Sequence, residues 1–116
     1  MAVDVQKLGV DYLAFSGHKA LGPTGVGVLW GRNLDALPPF LFGGSMIENV
    51  TMTDATWAPA PKKFEAGVPN MAQAVGLGAA LTYLTKIGME NIHRHEVELT
   101  SYLLNGLSEV DGLRII

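Results

Sequence analysis

The sequence contains no cysteine, few charges and no long apolar run. Without cysteine these 116 residues hold no disulfide framework and no thiolate nucleophile or metal ligand. Charged residues make up only 16% of the chain, the formal net charge is −3, and no Lys/Arg cluster stands out. A phosphate-backbone footprint is therefore missing, and a nucleic-acid partner is not expected. No uncharged apolar stretch approaches the roughly 20 residues that a membrane-spanning helix needs. The opening "MAVDVQKLGVDY" also lacks the basic-then-apolar layout of a signal peptide. These absences lead to the expectation of a soluble, cytoplasmic protein with no membrane partner.

What the chain does have is apolar side chains, at 48% of residues. A chain of this length buries only about two-thirds of its unfolded surface when it folds alone. Some of the apolar surface is therefore expected to meet another domain or subunit. Two short apolar runs bounded by glycine, Tyr12 to Phe15 and Val26 to Trp30, read as strands buried on both faces. "GRNLDALPPF" holds a short turn of helix that Pro38 and Pro39 stop. From Leu41 to Pro69 the pattern is irregular, with short β-segments expected around Ile47 to Met52; a loop this long is usually functional or covered by a partner.

Two helices follow. Asn70 is a suitable N-cap, with Gln73 placed for a capping-box partner. Met71, Ala74, Val75, Gly78, Leu81 and Leu84 then recur at helical spacing until Gly88 offers a stop. Gly76 and Gly78 thin one side of this helix enough for another backbone to approach. The second helix spans about Glu90 to Ser108, with Ile92, His95 or Glu96, Leu99, Leu103 and Leu107 as its apolar stripe. "DGLRII" reads as a turn into a strand starting at Leu113, and a chain that stops inside a strand points to a truncated domain. The boundary between units is expected near Gly88.

The segment with chemical content is "FSGHKALGPTGVG", Phe15 to Gly27. A lysine after a strand is most simply a solvated turn residue. Held beside a glycine-rich loop and partly desolvated, however, a lysine amine is shifted toward its neutral form, which can attack a carbonyl to give a Schiff base. Ser16 and His18 flank Lys19 with a hydroxyl and an imidazole, both able to bind an anion such as phosphate. Gly22, Gly25 and Gly27 allow a tight turn close to a ligand. The order of residues is not that of a P-loop. His93 and His95 lie two apart on a helix, facing different ways, so no metal site is expected.

In this order and spacing "VDVQKLGVDYLAFSGHKALGPTGVGVLWGR", "GGSMI", "KKFEAGVPN" and "GLGAALTYL" resemble SufS-type cysteine desulfurases, in the class V branch of the aminotransferase-like pyridoxal phosphate enzymes. The resemblance covers essentially the whole chain. It implies an α/β, fold-type I PLP-dependent transferase with a mainly parallel sheet. Residues 1–88 would be the late part of the cofactor-binding large domain with its interface loops, and 89–116 the start of the C-terminal small domain. It implies that Lys19 carries pyridoxal 5'-phosphate and acts as the proton-transfer base, while Ser16 and His18 help hold the cofactor phosphate. It further implies a homodimer that converts L-cysteine to L-alanine, leaving a persulfide for a sulfur-acceptor protein and iron–sulfur cluster assembly.

The chain departs from the family pattern at two places. Val68 stands where a threonine commonly follows "FEAG", and Phe42 where a third glycine often precedes "GGSMI". The family's aspartate for the pyridine nitrogen, its ring-stacking histidine and its sulfur-receiving cysteine fall outside the segment, so the fragment is not expected to be active alone. A selenocysteine lyase, an epimerase of the same class and a non-enzymatic interaction fragment remain as alternatives.

Overall fold

The computed structural model describes residues 3–116. Asp4 opens a one-turn helix α1 (Val5–Leu8), its carboxylate accepting from the amides of Gln6 at 3.0 Å and Lys7 at 3.3 Å. Gly9 closes that turn in the left-handed region at φ 67°. Strands β1 (Tyr12–Ser16) and β2 (Gly27–Gly31) pair antiparallel, with Phe15 opposite Val28 and Ser16 opposite Gly27. Between them lie a 3-10 turn, Gly17–Ala20, and the glycine-rich loop.

The expected turn before Pro38 is a 3-10 turn at Leu34–Ala36. Within the irregular middle, β3 (Ile47–Val50) pairs antiparallel with β4 (Ala55–Trp57) through a bulge between Ile47 and Asn49. Thr51 closes this hairpin: its hydroxyl accepts from the Asp54 amide at 3.0 Å, and its own amide donates to the Asp54 carbonyl at 2.8 Å. Threonine suits such a turn because its side chain can replace a backbone partner locally. Helices α2 (Met71–Ile87) and α3 (Met89–Ser108) meet at Gly88, whose φ of 91° breaks the helical path. The Gly88 amide donates to Leu84 and its carbonyl accepts from Ile92, so one residue ends the first helix and starts the second.

Three local expectations are revised. Asn70 does not cap α2 with its side chain; its amide is spent elsewhere, on the Gly25 carbonyl. No strand forms at Leu113, where residues 113–116 have no regular structure. A strand needs a neighbour for its backbone groups, and no described segment pairs with this one. The β1–β2 ribbon is not buried on both faces either: Phe15, Val28 and Leu29 are 38%, 37% and 50% exposed. Both ladders among the described residues are antiparallel.

Packing follows from these pairings. Among the described residues Met46, Ala58, Leu77 and Ala80 are the buried apolar ones, and of these only Met46 is fully enclosed. The radius of gyration is 20.5 Å and the long axis 71 Å, against about 13 Å for the radius of a compact domain of about 100 residues. Most of the apolar content therefore lies on the surface, including Leu99, Leu103 and Leu104 along α3. No described helix is long and apolar enough to cross a membrane.

Candidate functional site

Lys19 is presented by the 3-10 turn Gly17–Ala20 at the end of β1. Besides the Leu21 amide, which donates to the Gly17 carbonyl, two backbone bonds tie that turn to the loop that follows it. The Gly17 amide donates to the Val26 carbonyl at 2.8 Å, and the Gly22 amide donates to the Gly17 carbonyl at 2.9 Å. Leu21 closes the turn with φ 58°, a left-handed conformation in which a branched side chain costs roughly 1–2 kcal/mol.

The glycines here serve packing. A Cβ on Gly17 would stand 2.8 Å from the Val26 carbonyl oxygen, and one on Gly22 would stand 2.9 Å from both the Gly17 oxygen and Leu77 Cδ1. Leu77, at 5% exposure, is the α2 side chain that backs the lysine turn. Gly76 serves the same contact: a Cβ there would come within 3.1 Å of Pro23 in the loop. This answers the expectation of a thin helix face for Gly76, whereas Gly78 has nothing within 4 Å.

A hollow of about 350 Å³ is lined by Ala14, Phe15, Ser16, Lys19 and Ala20. Its size falls at the low end of small-ligand sites, about 300–1,000 Å³. Ser16 is half-buried, while His18 and Lys19 are exposed. Among the described residues, then, Lys19 stands as the solvated turn residue that is the simplest reading of the sequence, not as a partly desolvated amine. The side-chain hydrogen bonds that reach far along the chain are made by Arg32, Asp35, Lys63 and Asn70; none engages Ser16, His18 or Lys19 among the described residues. The donors of one short turn are thus uncommitted: a hydroxyl and an imidazole suited to an anion, and an amine suited to a carbonyl. That donor set fits a phosphorylated aldehyde.

A second, larger groove of about 700 Å³ runs between β2, the loop around Glu65 to Pro69 and α2. Val68 lines it and presents no hydroxyl, and the Gly67 amide is tied to the Gly44 carbonyl at 2.9 Å. Phe42 packs against Trp57 with ring centroids 4.8 Å apart and planes tilted by 43°, so the residue at the usual glycine position packs on the hairpin. His93 and His95 are both exposed on α3, and no group of three metal-ligating side chains occurs among the described residues.

Sequence reasoning missed one buried charge. Lys63 is only 8% exposed, and its ammonium donates to the Asp35 carbonyl at 2.8 Å and lies 3.6 Å from the Asp35 carboxylate. The same carboxylate accepts from the Ala60 amide at 2.8 Å. Nothing local marks this pairing, which joins residues 28 apart.

The sequence model of the family described as "Aminotransferase class-V" matches residues 1–116. The chain is 61% identical to a probable cysteine desulfurase of Streptomyces coelicolor, over all of this chain and 28% of that protein. It is 58% identical to probable cysteine desulfurase 2 of Mycobacterium leprae, over 98% of this chain and 28% of the relative. Among solved structures, the cysteine desulfurase CsdA of Escherichia coli, in an S-sulfonic acid form, superposes with a TM-score of 0.90 at 41% identity. That match covers 95% of this chain and 28% of the other. The apo cysteine desulfurase of Thermococcus onnurineus gives 0.89 at 44% identity, covering 94% of this chain and 28% of that one. The chain thus spans a little over a quarter of the length of these relatives, and it has the α/β fold of the matching part. It belongs to the aminotransferase class-V family.

Proposed function

We propose that the chain is the lysine-bearing segment of a pyridoxal phosphate-dependent cysteine desulfurase, which is inactive without the remainder of the enzyme. The observation that carries this reading is the identity of 58–61% along essentially the whole chain to relatives named as probable cysteine desulfurases. The uncommitted donors of Ser16, His18 and Lys19 support it chemically. In this reading residues 1–88 belong to the cofactor-binding domain and 89–116 begin a smaller C-terminal one. The apolar surface left open on β1, β2 and α3 supports burial against other parts of a cytoplasmic homodimer.

Pyridoxal phosphate, when bound, supplies the electron sink for breaking bonds at the substrate's α-carbon. Lys19 would hold the cofactor's carbonyl carbon through Nζ, and its amine, when free, would take up and deliver protons. Ser16 would donate its hydroxyl, and His18 an imidazole N–H, to the cofactor phosphate. The 3-10 turn keeps these groups together because Gly17 and Gly22 let it pack tightly on β2 and Leu77. L-Cysteine gives L-alanine, and its sulfur goes as a persulfide to an enzyme cysteine outside these residues, for a sulfur-acceptor protein and iron–sulfur assembly.

The test is to assay the intact protein for L-cysteine-dependent formation of alanine, with sulfide released on reduction. Both products are expected, and Lys19→Ala should abolish them while changing stability by less than about 0.5 kcal/mol, since an exposed turn side chain is removed. An active Lys19→Ala variant would contradict the proposal.

A further inference from the structure

The segment Phe64 to Pro69 is held at both ends by side chains that reach back into the first third of the chain. At its start, the buried Lys63 ammonium donates to the Asp35 carbonyl at 2.8 Å, while the Asp35 carboxylate receives the Ala60 amide. At its far end, the Asn70 side-chain amide donates to the Gly25 carbonyl at 2.7 Å, across 45 residues of sequence. Between them, the Gly67 amide reaches the Gly44 carbonyl. Gly25 is no arbitrary anchor. It sits at φ 79° in the loop that follows Lys19 and is closed by the Gly17–Val26 and Gly22–Gly17 bonds.

We infer that Lys63 and Asn70 are positioning residues that pin this loop in register with the turn presenting Lys19. Neither lines the hollow beside Lys19, so neither touches the reacting atoms there. Each acts by choosing where the loop backbone lies. The chemistry of the two pins differs. Lys63 is enclosed, and a buried ammonium left without its acceptor cannot be tolerated cheaply, so this end of the loop has one favoured position. Asn70 is exposed, and its bond to Gly25 is a single neutral one. It therefore sets register at the lysine loop while contributing little to global stability. The service these pins give to a cofactor rests on the proposed function; the anchoring of the loop does not.

The experiment compares hydrogen exchange by mass spectrometry in the intact wild-type protein, Asn70→Asp and Lys63→Met. Asn70→Asp keeps the shape and loses the donor. Its peptides covering residues 22–27 and 64–70 should exchange roughly fivefold faster, the factor expected for one lost hydrogen bond, with the rest of the protein unchanged. Lys63→Met should speed residues 64–70 by roughly tenfold, as a charged donor is lost. Unchanged exchange at 64–70 in Asn70→Asp overturns the inference, and so does an increase spread evenly over the protein in that variant. Should Lys63→Met fail to fold, Asn70→Asp alone decides. A second readout is the visible absorbance of added pyridoxal phosphate: half-saturation should need several-fold more cofactor in Asn70→Asp, and an unshifted curve would refute the positioning role. A wild type that takes up no cofactor would sink the proposed function, while the exchange result would still decide whether the loop is pinned.

Discussion

Gly17→Ala adds one methyl group to the turn that carries Lys19. Its Cβ would lie 2.8 Å from the Val26 carbonyl oxygen and 2.9 Å from Val26 Cγ1, with Leu77 Cδ1 at 3.4 Å behind. The side chain of valine can turn away, but the carbonyl cannot: it already accepts the Gly17 amide at 2.8 Å. The methyl and the hydrogen bond therefore compete for the same oxygen. Overpacking costs about 1–3 kcal/mol, and weakening the bond adds roughly 1 kcal/mol. The stiffer unfolded chain returns about 0.4–1 kcal/mol. The expected net loss is about 1–3.6 kcal/mol, read from urea unfolding of the intact protein. Gly106→Ala is the matched control, since it lies within α3 with nothing within 4 Å of the added carbon. There the same substitution should stabilise by roughly 0.5–1 kcal/mol, because alanine is the better helix former. Opposite signs are the prediction. A Gly17→Ala protein within about 0.5 kcal/mol of wild type would refute the packing argument.

Two further outcomes follow from the geometry. Asp11→Ala removes an ion pair with Arg32 at 3.7 Å whose side chains are 80% and 55% exposed; thermal unfolding should shift little, since such pairs contribute at most about 1 kcal/mol. Ser16→Ala should weaken retention of pyridoxal phosphate on dialysis by about 10- to 100-fold, the worth of one hydrogen bond to a charged group, with the unfolding midpoint of the cofactor-free protein nearly unmoved.

The parts legible in the sequence were those fixed by near neighbours. β1 and β2 announced themselves as apolar runs between glycines and appear within a residue or two of the expected limits. Helices α2 and α3 followed from their periodicity, and Gly88 separates them as expected. Contacts between distant residues were not legible. Asn70 has the chemistry of an N-cap, and only the fold reveals that its amide is drawn to Gly25, 45 residues away. Nothing in "KKFEAG" marks Lys63 as buried, yet it is enclosed against Asp35. β4 was not anticipated because Ala55–Trp57 is too short to carry a pattern; pairing with β3 defines it. The strand expected at Leu113 rested on side-chain type alone, and backbone partners decide whether a strand exists.

We propose the Lys19 amine as the attachment point of the cofactor. The direct measurement is to incubate the intact protein with pyridoxal phosphate, reduce with borohydride, digest, and locate the trapped group by mass spectrometry. One stable adduct is expected, on Lys19, absent from Lys19→Ala. An adduct on Lys62 or Lys63 instead, or no adduct on Lys19 in a protein that turns over L-cysteine, would contradict it.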